Sequence, residues 1–161
     1  MYIFLSSEFK FTENPNKHWL KERLYKEDYS YWNQGGNGET ILFKNLPSYK
    51  IWIKSTIIYK SKERTYRVDP FTPWVVMQQP EKGLFFILVG EMTPYFGKAV
   101  DCEDLAIGEC GGNPAPIPRA CLTNKDDALK ILCSYVNGVP LNNNFTWVKY
   151  SSLPIDWEKF Y

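Results

Sequence analysis

The segment Leu84-Phe-Phe-Ile-Leu-Val89 most constrains the fold, because its six residues are all apolar. A strand with one wet face alternates apolar and polar side chains, whereas an unbroken apolar run needs cover on both sides. Such a strand belongs near the middle of a sheet. Trp74 to Gln79 reads as a second apolar strand, and Pro80-Glu81-Lys82-Gly83 has the residues of a tight hairpin turn between the two.

Other elements fall around this hairpin. Tyr2 to Leu5 reads as a first strand. Asn14-Pro15 opens a helix, with Asn as N-cap and Pro at the first helical position, and Trp19, Leu20, Arg23 and Leu24 carry helical spacing to about Lys26. Residues 33–38, Asn-Gln-Gly-Gly-Asn-Gly, form a turn-rich loop and lack the Gly-Lys-Ser/Thr of a phosphate-binding loop. Ile41 and Phe43, then Ile51, Ile53, Ile57 and Tyr59, continue as β structure. Lys60 to Glu63 is a polar turn, and Arg64 to Val68 is the returning strand. In residues 101–118, Gly111-Gly112-Asn113-Pro114 with Pro116 and Pro118 point to a long acidic loop, or a loop with a short strand. Thr123-Asn-Lys-Asp126 resembles a capping box at the start of a second helix. Leu129, Leu132 and Val136 stripe that helix, and Gly138 and Pro140 stop it. Phe145 to Tyr150 is a last strand, and the aromatic tail through Trp157 and Tyr161 packs. Strands cluster in the middle and do not alternate with helices. The expectation is a single α+β domain over residues 1–161, mainly antiparallel, with the two principal helices on one face.

Composition bounds the function. A hydrophobic content of 44% gives 161 residues a packed interior, and 17% aromatics serve a core or a contact face. Residues 1–67 carry 12 Lys/Arg and 7 Asp/Glu, whereas residues 68–161 carry 7 and 11, so halves of +5 and −4 make up the net +1. The N-terminal apolar run is too short for a signal-peptide core and has no basic lead, and no window approaches a membrane span. The expected compartment is the cytoplasm, with free thiols at Cys102, Cys110, Cys121 and Cys133. Their spacing fits no familiar zinc site, and Cys133 reads as a small buried hydrophobe on the second helix. His18 is the single histidine, and nothing in the spacing pairs it with a nucleophile. No catalytic group, cofactor site or metal site is expected.

Two surfaces stand out. Residues 49–67 interleave Tyr49, Trp52, Tyr59 and Tyr66 with Lys50, Lys54, Lys60, Lys62, Arg64 and Arg67. Such a face can stack bases, and it is equally what one-sided burial of strands produces. Asp101, Glu103, Asp104 and Glu109 lie in a stretch, 101–118, without Lys or Arg. They suit a solvated loop, a hard cation or a basic partner.

Gly111-Gly112, Ile117, Leu122-Thr123, Asp126, Ala128, Leu132, Tyr135, Gly138, Pro140 and Trp147 form a spaced pattern. It resembles the C-terminal end of immunity proteins from bacterial polymorphic-toxin and contact-dependent growth inhibition systems, nearest the group that neutralises deaminase-type toxins. The resemblance covers residues 108–150, about a quarter of the chain. It implies a non-catalytic protein that binds a cognate toxin domain at the C-terminus of a larger effector. The matching residues are architectural, so no contact residue carries over. Nuclease and deaminase toxins have basic clefts, which makes Asp101, Glu103, Asp104 and Glu109 the expected partner-binding residues. A small nucleic-acid-binding module using the basic and aromatic sheet is the alternative. A membrane partner is not expected.

Overall fold

The computed structural model of the chain describes residues 1–28, 31–32, 40–50, 52–53, 57–97, 104–110 and 113–159, with backbone alone at 109, 110 and 159. The turn-rich segment 33–38 lies outside the described residues. The fold is α+β, built on a mainly antiparallel sheet with two helices.

The sheet contains β1 (Tyr2–Leu5), β2 (Phe11–Glu13), β3 (Thr40–Lys44), β6 (Val75–Glu81), β7 (Leu84–Val89), β8 (Met92–Pro94), β11 (Leu122–Asn124) and β12 (Trp147–Lys149). Two further hairpins stand apart from it. They are β4 (Ile58–Lys60) with β5 (Thr65–Arg67), and β9 (Leu105–Cys110) with β10 (Asn113–Pro118). The sheet order is β12-β8-β7-β6-β3-β1-β2, and β11 also pairs with β7. The apolar run is therefore central: β6 flanks one side of β7, and β8 and β11 share the other.

Register explains how both faces of β7 are covered. Phe4 pairs with Leu42, Leu42 with Val75 and Val75 with Val89, so these side chains form one cross-strand row. That row, with Met77, Phe85 and Ile87, packs under α1 (Lys17–Lys26) and α2 (Lys125–Val136). Leu20 and Leu24 come down from α1, and Ala128, Ile131, Leu132 and Tyr135 from α2. Both helices thus lie on one face. The opposite face carries Ile3 and Phe43 under β4–β5, and Phe86 under β9–β10 and the tail. The tail packs through Leu153 and Ile155 rather than through its aromatics: Trp157 is exposed and touches Tyr150 edge-on, and Tyr161 lies outside the described residues.

Several local expectations need correction. The first helix is capped by Asn16, whose Oδ1 accepts from Trp19 N at 2.9 Å. Asn14 instead takes a left-handed φ of 47° and its Oδ1 accepts from Tyr2 N at 3.1 Å, closing the β1–β2 edge. The second cap is Asn124, which accepts from Asp127 N at 2.9 Å; Thr123 lies one residue earlier, fully buried in β11. Gly138, at φ 85°, ends α2 in a Schellman arrangement, with Val139 N donating to Ser134 O at 2.9 Å.

The strand expected around Ile53 is a turn. Pro47 starts it, Lys50 N donates to Pro47 O and Ile53 N to Lys50 O, each at 2.9 Å; Ile51 lies outside the described residues. The β6–β7 turn is tighter than Pro80–Gly83, because β6 continues past Pro80 through a register shift and Gly83 (φ 78°) makes the corner. The last strand is shorter than Phe145–Tyr150, since residues Tyr150–Ser152 form a 3-10 turn.

The largest correction lies within residues 101–118. In place of the expected loop, or loop with a short strand, Leu105–Cys110 and Asn113–Pro118 pair as β9 and β10; residues 101–103 and 111–112 lie outside the described residues. Pro114, Pro116 and Pro118 alternate along β10, so all three missing N–H groups belong to the same edge. The intervening Asn113, Ala115 and Ile117 keep their N–H groups for the β9 side. Among the described residues β10 pairs with β9 alone, so the prolines remove no ladder bond there. That outer edge still offers carbonyls, and Tyr150 Oη donates to Pro116 O at 2.6 Å.

Two substitutions separate the two capping assignments. Asn124→Ala should cost about 1 kcal/mol of stability in urea unfolding. Thr123 Oγ1 is buried with no hydrogen-bond partner among the described residues, so Thr123→Val should raise the unfolding midpoint. A loss of stability in Thr123→Val would restore Thr123 as the cap.

Candidate partner-binding face

The face opposite the helices carries both hairpins, β4–β5 over Ile3 and Phe43 and β9–β10 over Phe86, and their charges differ. β4–β5 bears Lys60, Lys62, Arg64 and Arg67, whereas β9–β10 begins at Asp104 and carries Glu109 in β9.

Of the four acidic candidates, Asp101 and Glu103 lie outside the described residues. Glu109 sits in β9, two positions beyond Ile107. Asp104 is exposed, and its Oδ1 accepts from Arg119 Nε at 2.8 Å. Arg119 Nη1 also meets Glu81 on β6. The acidic rim thus includes Glu81, which sequence reasoning missed, and is threaded by a cation one residue past the Lys/Arg-free stretch. The backbone fixes this placement, because Arg119 N donates to Asp104 O at 3.0 Å where β10 ends. Exposed pairs of this kind contribute little to stability, on the order of 0–1 kcal/mol. Their effect is on the shape of the surface: two carboxylates are held together around one guanidinium.

The hairpin is seated firmly. Ala106 and Gly108 face the sheet, and Ile107 between them faces solvent at 52% exposure. A Cβ at Gly108 would lie 2.6 Å from Gln78 Oε1 and would also collide with Ile117. Glycine is what lets β9 rest this close to β6.

The basic hairpin differs from the expected base-stacking face. Tyr59 lies against Phe43 with ring centroids 5.4 Å apart, and Tyr66 stacks on Phe11 at 4.9 Å. Tyr66 Oη donates to Glu13 Oε1 at 3.1 Å, and Arg64 pairs with the same carboxylate. Arg64, and then Tyr66, hold the Glu13 carboxyl below the usual carboxylate range. Tyr49 and Trp52, on the turn before β4, are the outward aromatics at 75% and 77% exposure.

The other reactive side chains are dispersed. His18 is exposed on α1, with Nε2 3.9 Å from Glu22. Cys121 is buried; Cys133 is a half-buried free thiol, and burial pushes it up, away from thiolate. Among the described residues, no three His, Cys, Asp or Glu side chains gather as metal ligands, and no helix is long and apolar enough to cross a membrane. Comparisons of the chain with protein-family models, curated proteins and solved structures find no match.

Gly108→Ala should destabilise the chain by about 1–3 kcal/mol in urea unfolding, because Ile117 is too buried to retreat. Glu13 supplies a pH test. Its folded pKa is depressed, so its contribution is complete at neutral pH and lost as pH falls through that value. The stability gap between the parent and Glu13→Gln should therefore shrink as pH falls below the ordinary carboxylate range and through the depressed folded value. A gap independent of pH would mean that the carboxylate charge contributes nothing.

Proposed function

We propose that this chain is an immunity protein that binds a cognate bacterial toxin of the nuclease or deaminase type and occludes its active site. It acts by complementarity of its outer surface and supplies no chemistry of its own. The toxin would be the C-terminal domain of a larger effector, met in the cytoplasm of the cell that makes the inhibitor.

The observation that carries this reading is the acidic rim on a preseated hairpin. Asp104 and Glu81 converge around Arg119, and exposed Ile107 stands on the same hairpin as Glu109. A cleft that handles nucleic acid is basic, so such a rim steers toward it and raises the association rate. Ile107 gives an apolar anchor beside the charge. A hairpin already held in place by Gly108 and by the Tyr150 bond loses little freedom on docking. The C-terminal sequence pattern supports the same reading. A nucleic-acid-binding role takes second place, because Tyr59 and Tyr66 spend their rings on the interior.

The first test is whether a toxic domain is encoded beside this gene and whether the purified chain binds it. Reversing charge at Asp101, Glu103, Asp104 and Glu109 to Lys should slow association at low salt, weaken binding by about tenfold or more, and reduce protection of toxin-expressing cells. The quadruple variant binding as tightly and as fast as the parent would remove the acidic rim from the interface. An inability of the parent to bind or protect would remove the immunity role itself.

A further inference from the structure

A groove of about 770 Å³ runs between the turn that precedes β2 and the β4–β5 hairpin. Phe9 and Phe11 line one side and Ile58 the other, with Lys60 and Lys62 at its rim and buried Tyr66 at its base. We propose that this groove docks an extended segment of a partner protein that combines acidic and apolar side chains. The site is separate from the acidic rim, and the proposal stands whether or not the partner is a toxin.

Three observations support this occupant. The first is Phe9. Its φ of 60° is left-handed, a conformation that costs a bulky residue energy, and its ring is 64% exposed. A strained backbone holds out an aromatic ring that the interior does not use. With Ile58, exposed at 46%, it gives the groove two apolar walls open to water.

The second observation is charge. Lys10 pairs with Glu8 and Arg64 with Glu13, whereas Lys60 and Lys62 make no ion pair among the described residues. Glu63 lies beside them. Two available ammonium groups next to a carboxylate suit a ligand with one or two acidic side chains. A nucleic-acid backbone carries a charge at every nucleotide and calls for a more continuous basic track than this.

The third observation is the strand edge. Ser6 N donates to Lys10 O at 3.0 Å and Asn14 N to Tyr2 O at 2.7 Å, so the even-numbered residues here bond toward β1. By alternation, the peptide groups of Phe11 and Glu13 point away from β1. The sheet order ends at β2, so this edge has no strand beside it among the described residues. A segment lying along it in extended form gains main-chain hydrogen bonds, while alternate side chains reach the apolar walls and the lysines.

The experiment selects random twelve-residue peptides displayed on phage against the immobilised full-length chain, then measures the enriched peptides by fluorescence anisotropy. Enriched peptides should carry Asp or Glu among Phe, Leu or Ile. Their affinity should fall at least about tenfold for the Lys60→Glu/Lys62→Glu variant. Phe9→Gly should weaken them comparably while its Tm stays at or above that of the parent, since glycine accepts the backbone angle at this position. Failure to enrich any peptide overturns the proposal. So does enrichment of peptides without acidic residues, or equal binding to both variants and the parent. Tighter binding of labelled oligothymidylate, lost in the same variants, would assign the groove to nucleic acid instead.

Discussion

The cross-strand row Phe4–Leu42–Val75–Val89 is the interaction on which the other elements depend. It places a continuous apolar stripe across four strands, and that stripe gives both helices a surface to bury against. Because β7 is apolar on alternate positions as well, the opposite face demands its own cover. Hairpins and the tail supply it without a second helical layer. The hairpin surface is therefore the outside of a layer that keeps the sheet dry.

This separation of duties accounts for the aromatic content. Trp32, Tyr135, Phe4, Phe43 and Phe85 are fully buried. Tyr135 also donates to Pro73 O at 2.6 Å, so even a polar ring serves the interior. Burial pushes its phenol upward, which keeps the donor in place across the ordinary pH range. Phe9, Tyr49, Trp52 and Phe71 are the aromatics left most open to water among the described residues.

Most of the scaffold was legible because it depends on periodicity. The run at Leu84–Val89 announced a central strand, and the stripe through Leu129 and Leu132 announced a helix. What escaped depends on backbone detail that side-chain patterns do not carry. Prolines at 114, 116 and 118 look like breakers until their spacing is seen to place every missing donor on one edge. Both helix caps moved by one or two residues, since neighbouring Asn and Thr side chains offer the same acceptor and only geometry chooses between them. At the candidate site, acidity was legible, but the joining of Asp104 to Glu81 through Arg119 needed the hairpin to fold first. Phe9 gave no signal at all, because a left-handed angle at phenylalanine contradicts what its sequence position suggests.

The alternating prolines of β10 have a consequence for how copies of this chain meet one another. A naked strand edge is a template on which further strands can crystallise into fibrils. Here one rim of the molecule has lost its amide hydrogens at every second residue and has one of its carbonyls occupied by Tyr150. Growth from that rim is chemically blocked, so the hairpin can be displayed there without seeding aggregation of its own copies.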